Sequence, residues 1–349
     1  MSKLWDLISA KAGTNFEPVR KAVNYADSAT GQIDAKNIEV LLSRCQMASA
    51  LGTAPAGVDL NAFIKIAEEI ICEKCSYKPT ADETKVHQDF LRRLVRRGPR
   101  KPRVNLFTTN YDRCFEVAAS HIGLPIIDGF SFSNPSRFSP ETFDYDIVTH
   151  STYSKEPDYV PRLLRLFKLH GSVDWERTSD GILKRERAAS PLLIYPRYGK
   201  YESSYAPPFL EMMSRFQAVL RRPSVGVIVV CFGFNDQHIA EPLIAAVKSN
   251  TSLRVVVIAP DLCGKDATVL YATSGLPGAT KQNGNLSQLD QLIERGDARL
   301  TLVNGTLESV TPLIPLVAMQ SEAEQQDARI RELEAWVSDR KRTGGGGTA

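Results

Sequence analysis

The stretch "VGVIVVCFGFND" (225–236) decides the fold. An unbroken β-branched run with no polar alternation reads as a strand covered on both faces. It leaves through Gly-x-Asn-Asp into a helical pattern over 237–249, the strand–turn–helix step of a parallel sheet. Outward from it lie "VNLFTT" (104–109), "LLRLFKLHG" (163–171), "LLIYP" (192–196), "LRVVVIAP" (253–260) and "RLTLVNG" (299–305). Helical patterns at 112–122 and 207–221 intervene. The alternation predicts an α/β fold, a doubly wound, Rossmann-like, mostly parallel sheet.

The first hundred residues read differently. Ile38, Leu41, Leu42, Cys45 and Ala48 recur at helical spacing, and so do Phe63, Ile64, Ala67, Ile70 and Ile71 after the break at 52–57, with Asp59 as N-cap. A third helix carries Val86, Phe90, Leu91, Leu94 and Val95 on one face, and Gly98 and Pro99 stop it. The expected organisation is a helical module over 1–103, the Rossmann-like domain over 104–320, and a tail over 321–349. In that tail a charged helix bearing Ile330, Leu333, Trp336 and Val337 gives way to "TGGGGTA". Two stretches resist regular structure: 128–162, rich in Phe, Tyr, Ser and Pro and readable as a lid, a partner surface or a surface insertion, and the Gly/Ser/Thr-rich 263–287.

A chain of 349 residues with 43% hydrophobic and 24% charged content is ordinary for a globular protein. A net charge of +3 is too small to argue for nucleic acid by itself. No apolar run approaches the roughly 20 residues of a membrane span, and the start is unlike a secretory signal. Six scattered cysteines make no disulfide framework, so a cytoplasmic setting is expected. Cys72 and Cys75 have CxxC spacing but no second pair, which favours helix packing over zinc.

Three strand ends carry the polar chemistry: Thr108-Thr109-Asn110-Tyr111-Asp112, Lys168-Leu169-His170-Gly171-Ser172 and Cys231-Phe232-Gly233-Phe234-Asn235-Asp236. In open α/β sheets, ligands bind at the carboxyl ends of strands. Singly, each has a structural reading: Asn110 and Asp112 as helix caps, His170 as a satisfied histidine, Gly233 as a tight turn. Jointly they predict a ligand site.

In this order, "TTNYD", "KLHGS" and "CFGFND" followed by "HI" resemble the sirtuin-like domains of bacterial anti-phage defence systems. The stand-alone type paired with a HerA-like hexameric ATPase is the nearest in kind. The resemblance implies NAD⁺ as substrate and NAD⁺ hydrolysis to nicotinamide and ADP-ribose. It also implies a homo-oligomer and an ATPase partner. Asn110, Asp112 and His170 match the catalytic motifs. Thr108, Thr109, Gly171, Gly233, Phe234, Asn235 and Asp236 match the cofactor-binding positions, and no metal is implied. A histidine whose reference pKa is near 6.5 suits proton transfer at neutral pH.

The sequence departs from the family in two ways. No four-cysteine zinc module is present, which tilts the acceptor from acyl-lysine to water. The Gly-rich phosphate turn after the first, central strand is also missing, because "MSKLWDLI" resembles the helix just downstream of it. The expectation is either an upstream start or a protein lacking half its phosphate cradle, in which case NAD⁺ binds poorly and apolar sheet edges are exposed. A catalytically impaired nucleotide-sensing subunit is therefore the alternative. A DNA-binding accessory subunit is a third reading, resting on the basic run Arg92–Arg103 with seven cations in twelve residues.

Overall fold

A computed structural model describes residues 2–25, 37–96, 102–150, 158–186, 188–195, 207–260, 262 and 284–314. The tail beyond 314, including the charged helix and the Gly-rich end, lies outside them, as does most of the 263–287 stretch. In chain order the elements are α1 (Ser2–Ala12), α2 (Phe16–Ala22), α3 (Ile38–Ala50), α4 (Leu60–Cys75), α5 (Lys85–Leu94), β1 (Val104–Thr108), α6 (Cys114–His121), β2 (Ile126–Ile127), β3 (Val148–Thr149) and β4 (Asp158–Tyr159). There follow β5 (Leu164–Lys168), β6 (Gly171–Thr178), β7 (Gly181–Lys184), β8 (Pro191–Leu193), α7 (Phe209–Arg221) and β9 (Gly226–Val230). The chain closes with α8 (Gln237–Ser249), β10 (Arg254–Ala259), α9 (Gly284–Glu294), β11 (Leu300–Asn304) and α10 (Leu307–Val310).

The parallel strands form two sheets of three, in the orders β1-β5-β2 and β11-β10-β9. Side-chain alternation aligns them. Phe107 and Phe167 from the first sheet share one apolar cluster with Val227, Val229, Val255, Val257, Leu300 and Leu302 from the second. On the opposite face, Val230 packs both with Leu106, Leu164 and Leu166 and with Ile258 and Val303. The two sheets thus lie edge toward edge, as one doubly wound arrangement with an interruption between β1 and β9. Helices α7, α8 and α9 cover the first face through Met212, Phe216, Leu243 and Leu289. Helices α5 and α6 cover the other through Leu91, Ala118 and Ala119. The mostly parallel, doubly wound reading of the sequence is what the fold shows.

At the interruption, β9 has a hydrogen-bonded neighbour on one side only among the described residues. Its apolar run is that of a central strand, yet Ile228 is 42% exposed.

The helices α1–α4 build a separate core around Trp5, Ile8, Leu41, Leu42, Phe63 and Ala67. Asp59 caps α4 by accepting from the Ala62 amide, as its position before the helix predicts. Helix α5 does not join that core; Phe90 and Leu91 pack on the sheet. Cys72 and Cys75 ride on α4, and Cys75 packs against the helical core.

Two local expectations are corrected and a third is narrowed. The run 163–171 is not one strand: β5 ends at Lys168, and Gly171, at φ +88°, starts β6, which belongs to a small antiparallel sheet, order β7-β6-β8. "LLIYP" belongs to that antiparallel sheet and not to the parallel one. Its three-residue strand β8 follows the register of β6, since Gly171 pairs with Leu193. The described part of the 128–162 stretch is a packed insertion and not a free lid. Phe130 and Phe143 are buried in the main core, and Phe143 stacks on Phe167 at 4.3 Å. Arg215 of α7 clamps Asp144 through two nitrogens at 2.7 and 2.8 Å. Arg103 clamps Asp146 in the same way at 2.7 and 2.9 Å.

Candidate active site

The site forms where β1, β5 and β9 end. The β1 exit is fixed by its own polar residues. The Thr108 hydroxyl accepts from the Asn110 amide at 3.1 Å, and Asp112 Oδ1 accepts from the Cys114 amide at 2.9 Å to start α6. Two backbone bonds tie this turn to the neighbouring strands, Leu169 N to Thr108 O at 2.8 Å and Val173 N to Tyr111 O at 3.1 Å.

Lys168 locks the same turn from below. It is 2% exposed, a rare position for a lysine, and is held only because it is fully engaged. Its Nζ donates to Glu116 Oε1 at 2.9 Å, to Ser172 Oγ at 2.8 Å, to Tyr111 O at 3.3 Å and to Asp112 O. The cation therefore ties α6, the β1 exit and the start of β6 together directly beneath His170.

His170 follows, and Gly171 makes its turn possible. A Cβ on residue 171 would meet the carbonyl oxygen of Leu192 at 2.0 Å, at a φ that L residues rarely adopt. The turn delivers the imidazole to His238, in the first turn of α8: the two Nε2 atoms are 2.9 Å apart, with the rings tilted by 24°. Both histidines are buried, at 3% and 7% exposure. Asp236, the N-cap residue of α8, makes no capping bond with its side chain. One of its carboxylate oxygens lies within 4.8 Å of one ring nitrogen of each histidine. Pro242, inside α8, has no amide to give the His238 carbonyl, so the helix is loosened where it carries the histidine.

Tyr111 lines the site beside His170, with ring centroids 6.5 Å apart, and its hydroxyl donates to Ile194 O at 2.6 Å. Burial, aided by the Glu39 carboxylate, raises its phenol so that it stays protonated at neutral pH. Burial likewise pushes the Cys114 thiol up to about 12 and the Cys75 thiol up to about 11. Neither is a thiolate at neutral pH, so neither serves as a nucleophile.

The loop from β9 is strained. Cys231 and Phe234 hold φ of +53° and +56°, a region that costs non-glycine residues about 1–3 kcal/mol each. Phe234 is 1% exposed with its ring in the core, so a ligand there would meet backbone and not the side chain. Gly233 and Asn235 are exposed at the strand end. A Cβ on residue 233 would meet Asn235 Nδ2 at 3.3 Å, a contact that an exposed side chain relieves.

Of the residues singled out in the sequence, the structure brings His170 and Asp236 together, with Gly171 setting the turn. Thr108 and Asp112 shape the β1 exit, Thr109 is half-buried beside it, and Asn110 is exposed at its tip. The Asp112 carboxylate faces α6 and acts on Cys75, Tyr77, His87 and Cys114. The sequence reading passed over two residues of weight. His238 was visible only as the "HI" after the third motif, and Lys168 reads as a strand residue until its four partners are seen.

Three cations of the basic run have partners among the described residues. Arg92 pairs with Asp89 at 2.8 Å, Arg93 donates to Ile314 O at 2.6 Å, and Arg103 is committed to Asp146. Residues 97–101 lie outside the described residues. No helix among the described residues is long and apolar enough to cross a membrane.

No curated protein matches the chain. Residues 104–270 match the family model of the SIR2-like domain, a segment that begins at β1 and takes in all three strand ends of the site. The stretch of this chain that builds the site is sirtuin-like.

Proposed function

We propose that this protein hydrolyses NAD⁺ to nicotinamide and ADP-ribose. The observation that carries the reading is the buried His170–His238 pair with Asp236 beside it, at the carboxyl edge of a parallel sheet in a SIR2-like segment. Nicotinamide leaves from an already cationic ring and needs no acid. The protein must hold the substrate, stabilise an oxocarbenium-like centre and supply a base to the attacking water.

His170 is the base. With Nε2 atoms 2.9 Å apart, one imidazole donates and the other accepts, so His238 fixes the proton arrangement of its neighbour. A ribose hydroxyl or water entering the site replaces that contact. The imidazolium formed is stabilised by Asp236. Asn110, exposed at the β1 tip, orients the water. Asp112, with one oxygen committed to the Cys114 amide, positions the turn and offers its other oxygen to the carboxamide. Gly171, Gly233 and Asn235 leave the backbone open to the ribose and phosphates. Water as acceptor, in place of acyl-lysine, fits a chain without a four-cysteine module.

The order of the three motifs supports the wider reading: depletion of NAD⁺ in anti-phage defence by a homo-oligomer assembled with a HerA-like ATPase. The edges of β1 and β9 that have no hydrogen-bonded neighbour among the described residues favour a second reading as a nucleotide-sensing subunit of weak turnover. One experiment separates them. The purified chain, alone and with a candidate ATPase, is incubated with NAD⁺ and the products are resolved by chromatography. Nicotinamide and ADP-ribose are expected. His170→Ala should lower their formation by about 100-fold or more, the scale of a positioned base. NAD⁺ binding without turnover in any form would overturn hydrolysis and leave the sensing role.

A further inference from the structure

We infer that His170, His238 and Asp236 form a binding site for a divalent first-row transition metal, and that the metal and the hydrolytic reaction exclude each other. The first half stands on geometry alone, while the second rests on the hydrolytic role given to His170 above.

The donor set is two imidazoles and a carboxylate, which suits Zn²⁺, Co²⁺, Ni²⁺ or Fe²⁺ and is poorly matched to Mg²⁺ or Ca²⁺, which prefer oxygen. Their ligand atoms lie within 4.8 Å of one another, and among the described residues this is the one such group of three. The spacing of the histidines fits in detail. Two metal–nitrogen bonds of about 2.05 Å to Nε2 atoms 2.9 Å apart enclose an angle of about 90°. That is the angle of neighbouring ligands in an octahedral site, and two histidines with one carboxylate on one face leave the opposite positions open.

The frame is already built. His170 is held by the Gly171 turn, where no side chain fits, and by the Ile194 amide donating to the His170 carbonyl at 2.8 Å. Asp236 and His238 stand two positions apart at the start of α8, so a single helix end supplies two of the three ligands. Both rings are buried, so the cation would be drawn from water into fixed donors. What the metal displaces is the proton that the two Nε2 atoms share. The lone pair that binds metal is the lone pair that accepts a proton from water. A metal-loaded site therefore has no base at His170.

The test reads metal and turnover separately. Protein stripped with a chelator is titrated with Co²⁺ and followed by its visible d–d absorption. The wild-type chain is expected to bind one Co²⁺, with the absorption lost in His238→Gln and in Asp236→Asn. Each variant is checked by circular dichroism, and a metal-induced rise in melting temperature confined to the wild-type chain gives a second readout. Zn²⁺ at saturation should lower NAD⁺ turnover by about 100-fold, the contribution of a positioned base, and EDTA should restore it. No Co²⁺ absorption, or absorption that survives both variants, overturns the metal site. Binding with turnover unchanged keeps the site and overturns the mutual exclusion. If metal-free protein shows no turnover, the hydrolytic reading fails, and the Co²⁺ spectrum still decides the metal site.

Discussion

Replacing Lys168 with methionine tests how the site is held together. Methionine keeps most of the side-chain volume but removes the cation, so the loss reads out the polar lock rather than a cavity. The lysine is 2% exposed and its ion-pair partner Glu116 is 12% exposed. Breaking one half of a buried pair costs about 3–5 kcal/mol, because the partner is left charged and unpaired. The carbonyls of Tyr111 and Asp112 also lose a donor, at about 1 kcal/mol each where no water reaches them. The expectation from urea unfolding is a loss of about 5–7 kcal/mol for Lys168→Met. Glu116→Leu in the same chain removes the orphaned carboxylate and should return about half of that loss, since removing both partners of a buried pair is far milder than removing one. The double-mutant cycle is therefore strongly non-additive. A loss below about 1 kcal/mol for the single variant, the scale of an exposed pair, would refute the claim that Lys168 pins the β1 exit under His170. Additive effects would refute the coupling through Glu116.

Two further expectations follow from the geometry. Gly171→Ala places a methyl 2.0 Å from the Leu192 carbonyl at φ +88°, so β8 must leave β6; the backbone term alone is about 1–2 kcal/mol, and a melting temperature within 1 °C or so of the wild type would show the turn to be pliable. Hydrogen bonds from Arg103 and Arg215 hold the carboxyls of Asp146 and Asp144 below the usual carboxylate range, so their contribution is present above the unfolded value near 4 and is lost as pH falls through the folded one. Both carboxylates are largely solvent-screened, so the effect should stay below about 1 kcal/mol each; Arg103→Gln should flatten the acid limb of a melting-temperature profile, and an unchanged limb would sink the assignment.

The sheet was legible because burial on both faces leaves a signature that propensity alone can read. Val227, Val229, Val255 and Val257 need apolar neighbours on one face and Ile258 and Val303 on the other, and that requirement is written as unbroken β-branched runs. The strand end at His170 and Gly171 was legible, but the reason it needs glycine was not, because "LLRLFKLHG" does not show what packs against the turn. Only the carbonyl of Leu192, more than twenty residues on, shows why residue 171 must be glycine. The first turn of α9, at 284–287, fell within the stretch expected to be loop because Gly284, Asn285 and Ser287 give it the look of a linker, while the apolar residues that define the helix, Leu286 and Leu289, are spaced for a face that only the sheet reveals.

The site itself shows what local sequence can and cannot carry. Polar residues at three strand ends together pointed to a ligand, although Thr108, Asp112 and Lys168 also hold the local structure. Their grouping is a different matter. His170 and His238 are 68 positions apart and meet through α8, whose first turn follows a loop with two non-glycine residues in the left-handed region. Nothing in either local sequence announces the pair. The same loop buries Phe234 as an anchor, and the strain held at Cys231 and Phe234 is offset by packing that ring into the main core. An anchored, strained loop delivers Asp236 and His238 to fixed positions with little freedom to relax. That rigidity is what the proposed proton-transferring pair and the proposed metal site would both demand.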